Sequence, residues 1–243
     1  MAVTAVPVTG PKEVRPLAKQ ERALRTRRAV LNAAAEIFGV RGYRATTIAD
    51  VIAHAGVTKG ALYFHFPSKR ALADAIMEEQ TRFGVVRTSG SPLQQSIDMS
   101  LQVAHQLRRD PLLQAGTRIA IDTLFDESPL NPFGRWAGVL SDGLRQAQEQ
   151  GEILAHVDVQ RTSQLFVGAY TGINIFSLAE TRRADLPARV SFFWELLLPA
   201  IAHPGVLPRT RSEGSTEVNA ILAQSAAPPD ASPPARPAPA DGA

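Results

Sequence analysis

The sequence predicts an all-α protein of about nine helices, a small N-terminal helix-turn-helix head followed by a larger helical body. Three observations predict it. Apolar residues recur at spacings of three and four along most of the chain, alternating strand patterns are missing, and Gly or Pro punctuates the periodic stretches.

The first helix rests on Leu24, Leu31, Ala34, Ala35 and Phe38, and Gly42 stops it. Ile48, Val51, Ile52 and Ala55 fall at i, i+3, i+4 and i+7, one face of a two-turn helix, with Thr47 and Asp50 as a short-armed capping box. Gly56 supplies the backbone freedom for a sharp turn. A third, short helix is expected from Thr58 to about Phe64, where Pro67 breaks it. Ser68 then caps a fourth that runs to about Phe83. Later helices are expected near Leu93–Arg108, Pro111–Thr123, Pro132–Gln150, Val159–Leu178 and Leu186–Ala202. Residues 1–18 read as a loose arm, 19–70 as the head and 71–203 as the body. Residues 204–243, with eight prolines in forty residues, read as a disordered tail.

The composition narrows the function classes. A chain of 243 residues that is 44% hydrophobic and 20% charged has the makings of an ordinary soluble globule. With no cysteine, disulfides and thiolate metal sites are excluded, which suits a reducing cytoplasm. No apolar run approaches the roughly 18 residues of a membrane span, and the first residues lack the layout of a secretory signal. The chain has no phosphate loop, no Gly-x-Ser-x-Gly and no His-Glu-x-x-His. Its five histidines (His54, His65, His105, His156, His203) are scattered over separate elements. An enzyme is not expected, and neither is a metal or cofactor.

Charge is the stronger clue. The net charge is only +3, yet residues 19–70 hold ten Lys/Arg against three acids, a local net of +7. A basic block beside a near-neutral body is the footprint of a nucleic-acid-binding head. The stretch GVTKGALYFHF fits that footprint. In a helix-turn-helix the second helix enters the major groove with its N-terminal residues leading, here Thr58 and Lys59. Thr58 can bond a phosphate or a base edge, and Lys59 can reach a phosphate or a guanine. Gly60 lets the backbone approach the duplex, or else packs on the preceding helix. Tyr63, one turn beyond Lys59, offers its hydroxyl outward while Leu62 and Phe66 turn inward. His65 reads equally as a phosphate contact and as a structural histidine. Thr47 and Lys69, each at the start of a helix, complete the DNA-facing set in the head. Of Lys19, Arg22, Arg25, Arg27 and Arg28, two or three are expected to reach phosphates or the minor groove, with Arg22 and Arg25 the choice here.

The segment TTIADVIAHAGVTKGALYFHFPSKRAL resembles the DNA-binding segment of the TetR family of one-component transcriptional regulators. Together with AKQERALRTRRAVLNAAAEIF, it is similar to the γ-butyrolactone autoregulator receptors of Streptomyces. Beyond the head, LLQAGTRIAID, NPFGRWAGVL, QAQEQGEILAHV and FVGAYTGINIFS look like the ligand domain of that subfamily, so the likeness runs from about Lys19 to Leu207. The resemblance implies a homodimer joined through the two last strong helices, a pseudo-palindromic double-stranded operator, and release by a γ-butyrolactone or butenolide. It makes Gln80, Trp136 and Thr171 ligand-contacting; beside them, Phe83, Ile119 and Phe176 are read from their apolar character as lining. The bland readings are a core Trp136 and a merely exposed Gln80. Gly168 and Gly172 are read as helix-packing glycines. The basic pI of about 9.6 matches instead the family's pseudo-receptors, which answer to antibiotics or biosynthetic intermediates. Trp136 within NPFGRW keeps the receptor reading ahead. A non-specific architectural DNA binder is the remaining alternative, against which the large body counts.

Overall fold

The computed structural model describes residues 14–81, 86–124 and 132–226, and within them ten α-helices and no strand. These are α1 (Val14–Arg41), α2 (Ile48–Ala55), α3 (Lys59–His65), α4 (Lys69–Thr81), α5 (Pro92–Gln106), α6 (Pro111–Asp122), α7 (Pro132–Glu149), α8 (Val159–Thr181), α9 (Leu186–Ile201) and α10 (Thr216–Ala226). The all-α expectation holds. The helices divide into two compact units, described separately. One takes the chain through α4 together with Leu107–Arg135, and so includes α6; the other takes Val85–Gln106 and everything from Trp136 onward.

In the first unit α1 begins at Val14, inside what was expected to be a loose arm. Pro16 does not prevent this, because the first turn of a helix needs no backbone N–H from it. Gly42 ends α1 at φ 86°, a left-handed conformation in which a side chain is strained. Thr47 and Asp50 form the expected capping box at the start of α2, and Gly56 closes it at φ 62°. The core gathers Val30, Leu31, Ala34 and Phe38 of α1, Val51 of α2, Leu62 of α3, Leu72 and Ile76 of α4 and Ile119 of α6. Leu24, although in phase with these residues, is 60% exposed, because it lies a turn and more beyond the buried part of α1.

The second unit closes around Trp194. Its indole is fully buried, lies 4.7 Å from the Phe166 ring and donates its N–H to Ser100 Oγ at 2.8 Å. Tyr170 donates its hydroxyl to the Ser100 carbonyl at 3.2 Å, and burial pushes its pKa well above the usual phenol value. In the α8–α9 turn Asp185 accepts from the hydroxyls of Ser177 and Thr181 and from the Arg189 guanidinium, which hold its carboxyl well below the usual carboxylate range.

The chain beyond Pro204, expected to be disordered, is folded as far as Ala226. A 3₁₀ turn at Leu207–Arg209 leads to α10, whose Val218 and Leu222 are buried, and α10 packs on α5. The reason lies in how the prolines are distributed: only Pro204 and Pro208 precede α10, and averaging over forty residues hid the helical pair Val218 and Leu222. Residues 227–243 lie outside the described residues. The buried Asp98 carboxylate anchors this segment. It accepts from Ser215 N–H at 2.8 Å, the Ser215 hydroxyl at 2.6 Å, the Thr88 hydroxyl at 2.7 Å and the Gln94 amide at 3.0 Å.

Asp98→Ala strands four donors at once, so a loss of about 3 kcal/mol is expected in urea unfolding. Limited proteolysis of this variant should cut between residues 204 and 226 much faster than in the wild type.

Candidate nucleic-acid interface and effector residues

Helix α3 is only seven residues long, too short to persist alone, and is held at three points. Thr58 caps its start, its hydroxyl oxygen accepting from Ala61 N–H at 3.2 Å. Leu62 and Phe66 are 0% and 2% exposed and fix it to the head, with the Arg27 guanidinium 5.2 Å from the centre of the Phe66 ring. Arg27 is therefore committed to the protein itself.

The opposite face of α3 is bare. Lys59 and Gly60 are exposed, Tyr63 is 41% exposed and Phe64 80%. A Cβ built on Gly60 meets nothing within 4 Å, so the packing role once open to this glycine is ruled out among the described residues. The Lys59 ammonium stands 6.0 Å from the centre of the Tyr63 ring, which leaves it at the surface. Thr58 spends only an oxygen lone pair on its cap and keeps its hydroxyl hydrogen to donate. Phe64 was missed in the sequence, although it lies one turn beyond Gly60. Its ring meets His65 edge-on at 5.0 Å, and His65 is half-buried.

The other DNA-facing candidates divide. Arg22 and Arg25 are exposed one turn apart on α1. Thr47 is occupied: its hydroxyl donates to Asp50 at 2.6 Å, and its backbone N–H donates to the same carboxylate at 2.8 Å. These two bonds lower the Asp50 pKa. Lys69 points its ammonium at the Tyr43 ring, 4.4 Å from the centroid, and at the Arg44 carbonyl; partial burial lowers its pKa.

The effector candidates are not brought into one described cluster. Gln80 and Ile119 belong to the first unit and Trp136, Thr171 and Phe176 to the second, while Phe83 lies outside the described residues. Gln80 is 7% exposed, against the reading that left it at the surface, and its amide donates to Thr117 Oγ1 at 3.4 Å. Its carbonyl oxygen is buried with no hydrogen-bond partner among the described residues. Such an orphaned acceptor costs free energy until a donor reaches it. Ile119 is fully buried in the core of its unit, Trp136 is half-buried on α7, and the Thr171 hydroxyl donates to the Val167 carbonyl at 2.8 Å. Phe176, expected to line a pocket, is instead 64% exposed. It shares an outward stripe of α8 with Leu165, Gly168 and Gly172, and a Cβ on either glycine meets nothing within 4 Å. Among the described residues, no other helix packs on these glycines.

A short helix anchored on one face, bare and basic on the other, and preceded by a capped helix and a tight turn defines a helix-turn-helix DNA-binding regulator. No helix among the described residues is long and apolar enough to cross a membrane. Residues 30–76 match the family of bacterial regulatory proteins, tetR family, and residues 90–203 match the tetracyclin repressor-like C-terminal domain. The A-factor receptor protein of Streptomyces griseus is 41% identical over 84% of this chain and 74% of its own length. A solved γ-butyrolactone receptor (ArpA-like protein) is 30% identical, with a TM-score of 0.65 over 84% of this chain and 100% of that one. CprB from Streptomyces coelicolor, solved with its biological operator sequence, is 30% identical with a TM-score of 0.67 over 84% and 97%. This chain belongs to the TetR family. Members of that family are transcription factors and not enzymes.

Gly60→Ala separates stability from recognition. The alanine should stabilise α3 by up to about 1 kcal/mol, since glycine is the poorer helix former. If Gly60 lies against the duplex, as the sequence reading expects, operator affinity should nevertheless fall about ten-fold, worth about 1.4 kcal/mol. Thermal melting and a gel shift read the two effects separately.

Proposed function

We propose that this chain is a cytoplasmic, ligand-responsive transcriptional repressor. It binds a pseudo-palindromic operator as a homodimer and is released by a small γ-butyrolactone-type signal, controlling genes of secondary metabolism. The observation that carries this reading is the bare face of α3: Lys59, Gly60, Tyr63 and Phe64 exposed together on a helix whose other side is sealed into the head.

On this reading Thr58 and Lys59 meet base edges and phosphates at the leading end of α3, and Tyr63 donates to a phosphate. Phe64 offers apolar contact to a thymine methyl or a sugar. Arg22 and Arg25 supply phosphate contacts from α1. The exposed stripe of α8 (Leu165, Gly168, Gly172, Phe176), with Phe192 and Leu196 of α9, is the apolar face that a second copy covers. Phe176 thus moves from pocket to interface.

For the effector, the supporting feature is the orphaned Gln80 carbonyl oxygen, which a ligand hydroxyl or N–H would satisfy. Trp136 and Thr171, in the second unit, are proposed as ligand-contacting on the resemblance alone. Gln80 stands near the end of α4, the helix whose start follows α3 directly, so a group drawn in at Gln80 acts on the element that carries the head. Release requires that the ligand bind the non-DNA state more tightly, since equal affinity shifts nothing. The basic pI near 9.6 favours a second reading, a pseudo-receptor answering to an antibiotic or intermediate through the same residues.

Two outcomes test the proposal on a fragment of the chain's own promoter. Arg22→Ala and Arg25→Ala should each reduce the slope of log affinity against log salt by about one unit. Trp136→Ala should leave operator binding intact and raise the 2-acyl-γ-butyrolactone concentration needed for release about ten-fold or more. Release at an unchanged concentration would remove Trp136 from the site.

A further inference from the structure

The start of α2 is set by the turn Gly42–Thr46, and that turn is bolted to α6. Asp122, the last residue of α6, accepts from the Tyr43 backbone N–H at 2.8 Å through one carboxylate oxygen and from Arg118 Nε at 3.2 Å through the other. Its backbone carbonyl accepts from Arg44 Nε at 3.0 Å. The fit leaves no room: a Cβ on Gly42 would lie 2.8 Å from the Asp122 carboxylate. The Asp122 side chain is only 19% exposed, so water competes weakly for these bonds. Lys69, at the start of α4, grips the same turn through the Tyr43 ring and the Arg44 carbonyl.

Six residues earlier on α6, about 9 Å along a rigid helix, Gly116 and Thr117 meet Gln80. A Cβ on Gly116 would fall on the Gln80 carbonyl oxygen, so the Gln80 side chain lies directly against the α6 backbone here. Asp110 caps the other end of α6, accepting from two backbone N–H groups, so the helix behaves as one rod.

We propose that Asp122 is a positioning residue: it couples the middle of α6, where Gln80 packs, to the turn that places α2 and α3. The proposal rests on the reading of this chain as an effector-released DNA binder. A group that displaces the Gln80 carbonyl shifts α6. Asp122 carries the shift to Tyr43 and Arg44, and the capping box at Thr47 starts α2 three residues later. The recognition face moves without any ligand touching the head's DNA side.

Gly116→Ala imitates such a displacement with no ligand present, since the new methyl group must push Gln80 aside. The test is a double-mutant cycle on the full-length chain, with an operator duplex that the wild type selects from a random-sequence pool. Gly116→Ala should weaken binding about ten-fold alone but less than about three-fold in an Asp122→Ala background. Asp122→Asn keeps an acceptor for the Tyr43 N–H and should restore the larger effect. Thr117→Val, which removes the hydrogen-bond partner of Gln80, serves as the second perturbation if thermal melting shows Gly116→Ala unfolded. Equal factors in both backgrounds, or no effect in the wild type, would overturn the coupling. A wild type that selects no duplex would fail at the DNA-binding reading itself and take the coupling with it.

Discussion

Everything this head does depends on sealing one side of a seven-residue helix. A helix of that length has no stability of its own, because its nucleation cost is spread over too few hydrogen bonds. Leu62 and Phe66, inserted among α1, α2 and α4, supply what α3 lacks. They also fix its rotation, so the same burial that makes the helix exist decides that Lys59, Gly60, Tyr63 and Phe64 face outward. A glycine at position 60 weakens a helix by about 1 kcal/mol relative to alanine. The head tolerates it because packing, not propensity, holds α3.

The second constraint is less visible. Helix α6 comes after α5 in the chain, yet it packs in the unit that holds the head and contributes Ala115 and Ile119 to its core. Its polar contacts, Gln80 on Thr117 in mid-helix and Asp122 on Tyr43 at the C-terminal end, lie beside that packing. The Gln80 contact in mid-helix and the half-buried Asp122 at the C-terminal end join α6 both to α4 and to the turn before α2.

Local features of the fold were legible in the sequence and long-range ones were not. The capping box at Thr47, the turn at Gly56 and the inward pair Leu62 and Phe66 depend on residues within a few positions of one another, and the structure places each as read. Helix α10 escaped because proline content was averaged over a tail that holds two different segments. Phe176 was read as apolar lining of a pocket. Its place on α8 follows from the rotation that buries Phe166 and Asn174, which no local pattern reveals. The commitments of Lys69 and Arg27 were hidden. Both are the right residue type for phosphate, and only the fold shows their charged groups already engaged by Tyr43 and Phe66.

The central claim is that two copies of α3, carried by a two-fold dimer, read DNA. Selection from a random-sequence duplex pool by the full-length chain tests it most directly. The account predicts an inverted repeat whose half-sites are centred one helical turn, about 34–36 Å, or a multiple of it apart. Enrichment of a single asymmetric site, or of no consensus at all, would contradict it.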